Sequence, residues 1–102
     1  MPIIRGTTPT IKFAFNQINP ANIVVAYLVI KQGDKTVIER DDQTATVASD
    51  SLSWTLTQAE TLKLSRSFSA VIYCDWKLQD GTRGRSNVAT EAIEESGKSE
   101  VI

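Results

Sequence analysis

The chain has no histidine, one cysteine (Cys74), five glycines and three prolines among its 102 residues. Histidine is the commonest general base and metal ligand near neutral pH, so most acid–base and metal chemistries lose their usual centre. One cysteine can neither close an intrachain disulfide nor supply the paired thiolates of a structural zinc site. Nothing covalent staples the fold, which fits folding in a reducing cytoplasm. Excess charge of either sign is also missing. Eleven basic residues against twelve acidic ones leave a net charge of −1, so no electrostatic attraction to nucleic acid or to an anionic membrane is expected. The longest apolar run is eight residues, Ile23 to Ile30, far short of a membrane-spanning helix. Met1-Pro2-Ile3-Ile4-Arg5 lacks the basic segment and apolar stretch of a signal peptide. The expectation is a soluble protein made in the cytosol.

What is present is ample for one core. Hydrophobic residues make up 41% of the chain, and at this length roughly two thirds of the unfolded surface can be buried. The dominant pattern is alternation. Ile11, Phe13 and Phe15 alternate with Thr10, Lys12 and Asn16, and Leu52, Trp54 and Leu56 with Ser51, Ser53 and Thr55, which is the signature of half-buried strands. A short first strand over 3–5 is set off by the Gly6-Thr7-Thr8-Pro9 kink, and Gln17 to Asn22 is a connecting loop. Strand 23–32 turns at Gly33-Asp34, with glycine at the first central position as a II′ hairpin needs, and returns over 35–40. A further short strand is expected around Ala45–Ala48. Thr57-Gln58-Ala59-Glu60 is a capping box that opens one or two helical turns.

Residues 68–78 alternate again, with Phe68, Ala70, Ile72, Cys74, Trp76 and Leu78 on one side. A two-residue turn at Asp80-Gly81 would set Trp76 opposite Arg85 and Leu78 opposite Arg83, burying two arginines at high cost. A three-residue loop, Gln79-Asp80-Gly81 with a left-handed glycine, sets Trp76 opposite Gly84, Cys74 opposite Ser86, Ile72 opposite Val88 and Asp75 opposite Arg85. Burial selects the second register. Together these elements predict an all-β, immunoglobulin-like antiparallel sandwich of about seven strands with one short helical turn, occupying residues 1–93. A flexible acidic C-terminal tail is expected over 94–102.

No motif of nucleophilic, phosphate-binding or metal chemistry accompanies this pattern. Asp41-Asp42 and Glu94-Glu95 read as solvated loop pairs. Asp41, Asp42 and Asp50 match no calcium-loop spacing, and Cys74, pointing inward without a histidine, reads as a small core residue. Lys77, Arg83 and Arg85 lie on the exposed side of the last hairpin, with Asp75 among them to form a cross-strand ion pair. No catalytic, cofactor-binding or metal site is expected, nor a small-molecule ligand.

The run Ile23 to Ile30 stands apart. Successive strand side chains point to opposite faces, so an unbroken apolar run needs cover on both. With Val24, Ala26, Leu28 and Ile30 placed inward, Val25, Tyr27 and Val29 face out, joined by Val71, Tyr73 and Ala89 from neighbouring strands. A contiguous apolar patch of this kind marks an association surface, and a homo-oligomer is the expected outcome.

Four short segments carry a family resemblance: Ile4-Arg5-Gly6-Thr7-Thr8-Pro9-Thr10-Ile11, Leu56-Thr57-Gln58, Asp80-Gly81-Thr82 and Ser86-Asn87-Val88. Over about residues 3–90 the chain resembles small proteins of phages and prophages of Gram-positive bacteria. That group looks like the immunoglobulin-like N-terminal domain of baseplate upper proteins. The resemblance implies a non-enzymatic structural or adaptor module of a phage tail or baseplate, made in the host cytoplasm and carried in the virion. Its partners would be further copies or other tail proteins. The alternative is a binding module for a bacterial cell-surface polysaccharide or protein, which would need Tyr27, Tyr73 or Trp54 exposed in a groove.

Overall fold

The structure is a computed structural model and describes residues 3–16 and 18–94. Its strands are β1 (Ile3–Ile4), β2 (Thr10–Ala14), β3 (Ile23–Gln32), β4 (Lys35–Asp41), β5 (Thr46–Val47), β6 (Ser51–Thr55), β7 (Ala70–Leu78), β8 (Arg83–Arg85), β9 (Ala89–Glu91) and β10 (Ile93–Glu94), with one helix, α1 (Gln58–Leu62), between β6 and β7. One sheet has the order β2-β6-β5. The other has the order β4-β3-β7-β8, with β9 continuing beside β7. β1 runs parallel to β10 as a separate two-stranded pair. This is the expected immunoglobulin-like sandwich. Ten short strands stand where about seven were expected: the last predicted strand, ending about Ala92, breaks into β8 and β9, and β10 follows it.

The core lies between the sheets. Trp54, Leu52 and Leu56 meet Ala26, Leu28, Ile30, Ala70, Ile72 and Cys74, all nearly inaccessible to solvent. Trp54 satisfies its one polar atom by donating from Nε1 to the Asp41 carbonyl at 2.8 Å, and Phe13 packs edge-on against it. The capping box at α1 forms in full: the Thr57 hydroxyl accepts from the Glu60 amide, and the Glu60 carboxylate accepts from the Thr57 amide. Glu60 also binds Arg40 at 2.7 Å, tying α1 to β4. Thr61, fully buried, donates to the Thr7 carbonyl and accepts from the Gly6 amide, which pins the kink at Gly6, itself left-handed at φ 79°. The Gln32 amide reaches Ser65 and Phe68 and fastens the long link into β7.

The last hairpin adopts the register that burial selected. Asp75 pairs with Arg85, Trp76 with Gly84 and Lys77 with Arg83, and Gly81 is left-handed at φ 91°. Gly33 sits at φ 63° in its two-residue turn, as a primed hairpin turn requires.

Three expectations need correction, two because a strand slips by one residue and one because a strand starts later than expected. Val24 faces solvent rather than the core, at 45% exposure. The β3–β7 register shifts between Ile23 and Val25, and Ile23 packs on the core in its place. Ile72 lies opposite Ala89, not Val88. Between β8 and β9 the Ser86 hydroxyl takes the Cys74 amide, the pleat breaks, and one residue is taken up. Phe68 lies before β7, which starts at Ala70, and is 59% exposed. The short strand expected near Ala45–Ala48 is β5. Of the expected acidic tail, residues 95–102 lie outside the described residues.

Candidate functional site

Directly opposed residues in an antiparallel sheet project to the same face, so the register draws the outer face of the larger sheet row by row. One row reads Asp41, Tyr27, Asp75, Arg85; the next Glu39, Val29, Tyr73. On the other side of the first lie Val25, Lys77 and Arg83, and beyond Tyr73 come Thr36, Lys31, Val71 and Thr90. The face therefore gathers five of the six residues proposed for association: Val25, Tyr27, Val29, Val71 and Tyr73. Ala89 is the exception and is corrected here. The slip before β9 places it opposite inward-facing Ile72. There it lines a cleft of about 500 Å3 with Ile3, Ile11 and Phe13.

Exposure divides the five. Val29 and Tyr73 keep only 8% and 7% of their surface, because the chain shelters them itself. The Arg85 guanidinium lies over the Tyr73 ring at 4.2 Å and the Lys31 ammonium at 6.0 Å, an arrangement in which the cation meets the negative face of the ring and the aliphatic stem covers apolar surface. Arg85 is held in place by Asp75, with N–O distances of 2.6 and 3.1 Å, and that carboxylate favours its charged form. Tyr27 remains 42% exposed and Val25 and Val71 are half-buried. Val25 and Tyr27 line a shallow groove of about 580 Å3 with Asp75, Lys77, Arg83 and Arg85.

The charged frame of this face was only partly visible in the sequence. The Asp75–Arg85 pair followed from the last hairpin, but the acidic side, Glu39 and Asp41, did not. A register shift between Ile30 and Lys31 hides it. Counting back from the Gly33-Asp34 turn without that bulge would set Tyr27 opposite Arg40 and Val29 opposite Ile38. Ile38 is the residue that marks the bulge: a strict count from the turn would point it to solvent, whereas it lies in the core beside Ile30 at 3% exposure.

Elsewhere the polar groups have structural work. Asp41 caps the Asp42–Thr44 turn, and Asp42 accepts from the Ala26 amide at 3.4 Å. Among the described residues no three His, Cys, Asp or Glu side chains are grouped to hold a metal. Cys74 is buried, and burial first, then the neighbouring Asp75 carboxylate, pushes its thiol up to about 12. A thiol so protonated is a poor nucleophile. Trp54 and Tyr73 are both buried, leaving Tyr27 as the exposed member of the three aromatics a glycan platform would draw on. The sequence matches no protein-family model and no curated protein.

Proposed function

We propose that the chain is a non-enzymatic structural or adaptor module of a phage tail or baseplate, carried in the virion, that works by docking the outer face of its larger sheet. The observation that carries the docking part is the exposed Tyr27 beside Val25, set in a groove at the middle of a sheet and framed by charges of both signs. An amphipathic aromatic ringed by charged groups has the composition of an interface centre and rim. The phage assignment is supported by the resemblance of the four segments named above, and symmetric particles repeat such interfaces many times.

The test is particle composition. Phage particles released from the host that carries the gene should contain the chain, and a folded Tyr27→Asp variant should be lost from them. Particles that lack the wild-type chain would remove the proposal. The second reading, a module for a cell-surface polysaccharide, draws on the same Tyr27 groove. Glycan-array binding by the monomeric chain, abolished in Tyr27→Ala, would select it over the structural role.

A further inference from the structure

We infer that the occupant of this face is a second copy of the same chain, packed face to face about a two-fold axis running along the strands between β3 and β7. The inference rests on the docking reading above and adds the partner and its orientation. Charge carries it. Glu39 and Asp41 lie along the β4 side of the face, while Lys77, Arg83 and Arg85 lie along the β7–β8 side. Lys77 and Arg83 oppose one another directly, a like-charge pair that is unfavourable in isolation. Among the described residues neither has a carboxylate partner, nor does Glu39 have a cation. The face thus holds unspent charge of each sign on opposite sides of an aromatic centre.

Symmetry decides the orientation. Rotation about an axis along the strands lays β4 of one copy on β8 of the other and β3 on β7, without moving residues along the strand direction. The row Asp41, Tyr27, Asp75, Arg85 then meets itself reversed. Asp41 faces Arg85 of the second copy, whose charge is already paired with Asp75, so the attraction comes from the unpaired Arg83, one residue pair further on, which reaches Asp41 along its own length. An axis across the strands would instead set acid on acid and base on base, which costs association. Aligned packing of twisted sheets is the ordinary way two such faces meet.

The area sets the strength. Four strands about 4.8 Å apart and nine residues of about 3.3 Å each give about 550 Å2 per copy, or about 1,100 Å2 in all, just below the range of stable specific interfaces. A weak dimer with Kd on the order of micromolar follows.

Sedimentation of the full chain over low to high micromolar concentrations tests this. The wild type should dimerise, more weakly as salt rises. Asp41→Arg or Arg83→Asp alone should raise Kd about tenfold or more, while an equimolar mixture of the two should associate as heterodimers close to the wild-type strength. Each heterodimer then holds one native and one exchanged charge pair. Asp41→Asn keeps the oxygen that caps the Asp42–Thr44 turn, so a weaker dimer in that variant reports charge and not lost structure. A chain monomeric at every concentration, or single variants that do not rescue each other, would overturn the inference. If that monomer still enters phage particles through Tyr27, self-pairing alone falls and the docking reading stands. A dimer indifferent to Tyr27→Asp and to both charge changes forms through another surface and overturns the inference, while the presence or absence of Tyr27→Asp in phage particles decides the docking reading separately.

Discussion

Outside the smaller sheet, the cross-strand rows are Thr10–Thr55 and Lys12–Ser53–Thr46; outside the larger sheet they run through Val25, Tyr27, Val29, Val71 and Tyr73 between charged borders. The first set is short, polar and self-satisfied, as in the Thr10–Thr55 hydroxyl contact at 2.9 Å. Water suits it. The second set costs free energy if left to water, and the chain answers in two ways. It folds Arg85 and Lys31 over Tyr73, and it leaves Tyr27 open. Within one small domain, then, one sheet is apolar on its inner face alone and the other carries apolar residues on both faces.

The sharpest way to break the comparison is to show that the inner faces differ as well. They should not: Trp54→Ala and Leu28→Ala, one from each sheet and both fully buried, should each lower the unfolding free energy by about 3–5 kcal/mol in urea titrations. Next in size is Gly84→Ala. A methyl there would overlap the six-membered ring of Trp76, and a ring cannot bend aside, so a loss of about 1–3 kcal/mol is expected in the same measurement. Trp76→Leu in that background should recover part of it.

The outer faces are where the sheets should part. Tyr73→Ser should cost about 2 kcal/mol, from lost apolar burial and the lost cation contact, whereas Lys12→Ser should stay within about 0.5 kcal/mol. Equal losses at the two positions would erase the distinction drawn here. The smallest effect at neutral pH concerns Cys74. Its thiol pKa is raised from 9.0 to about 12 in the folded state, so above pH 9 the unfolded chain has released a proton that the folded chain keeps. That contribution to stability is complete below pH 9 and is lost as pH climbs towards 12. Cys74→Ala should therefore unfold with a shallower alkaline decline than the wild type, by thermal melts across that window.

The legibility of the two sheets also differs, for a related reason. β2 and β6 have one wet face, so their polar residues mark every second position and their register can be read directly. The last hairpin was equally readable, because only one register spared Arg83 and Arg85 from burial. β3 is apolar on both sides, and there alternation carries no information. Val24 went to solvent and Ile23 to the core through a slip that no residue type announces. The same weakness hid Glu39 and Asp41 behind the bulge beside Lys31. Ala89 was misplaced through the break after Ser86, where a side-chain hydroxyl substitutes for a ladder bond.

Residue pattern alone sets the all-β sandwich, the capping box at Thr57, the left-handed glycines at 33 and 81 and the inward Trp54, because each follows from local geometry or from the cost of burying charge. Which outward apolar residues stay open is settled by the packing of the folded chain. That outcome depends on where Arg85 and Lys31 come to rest and on three one-residue slips. Such slips are set by packing between strands far apart in the chain, and no local pattern of side chains encodes them.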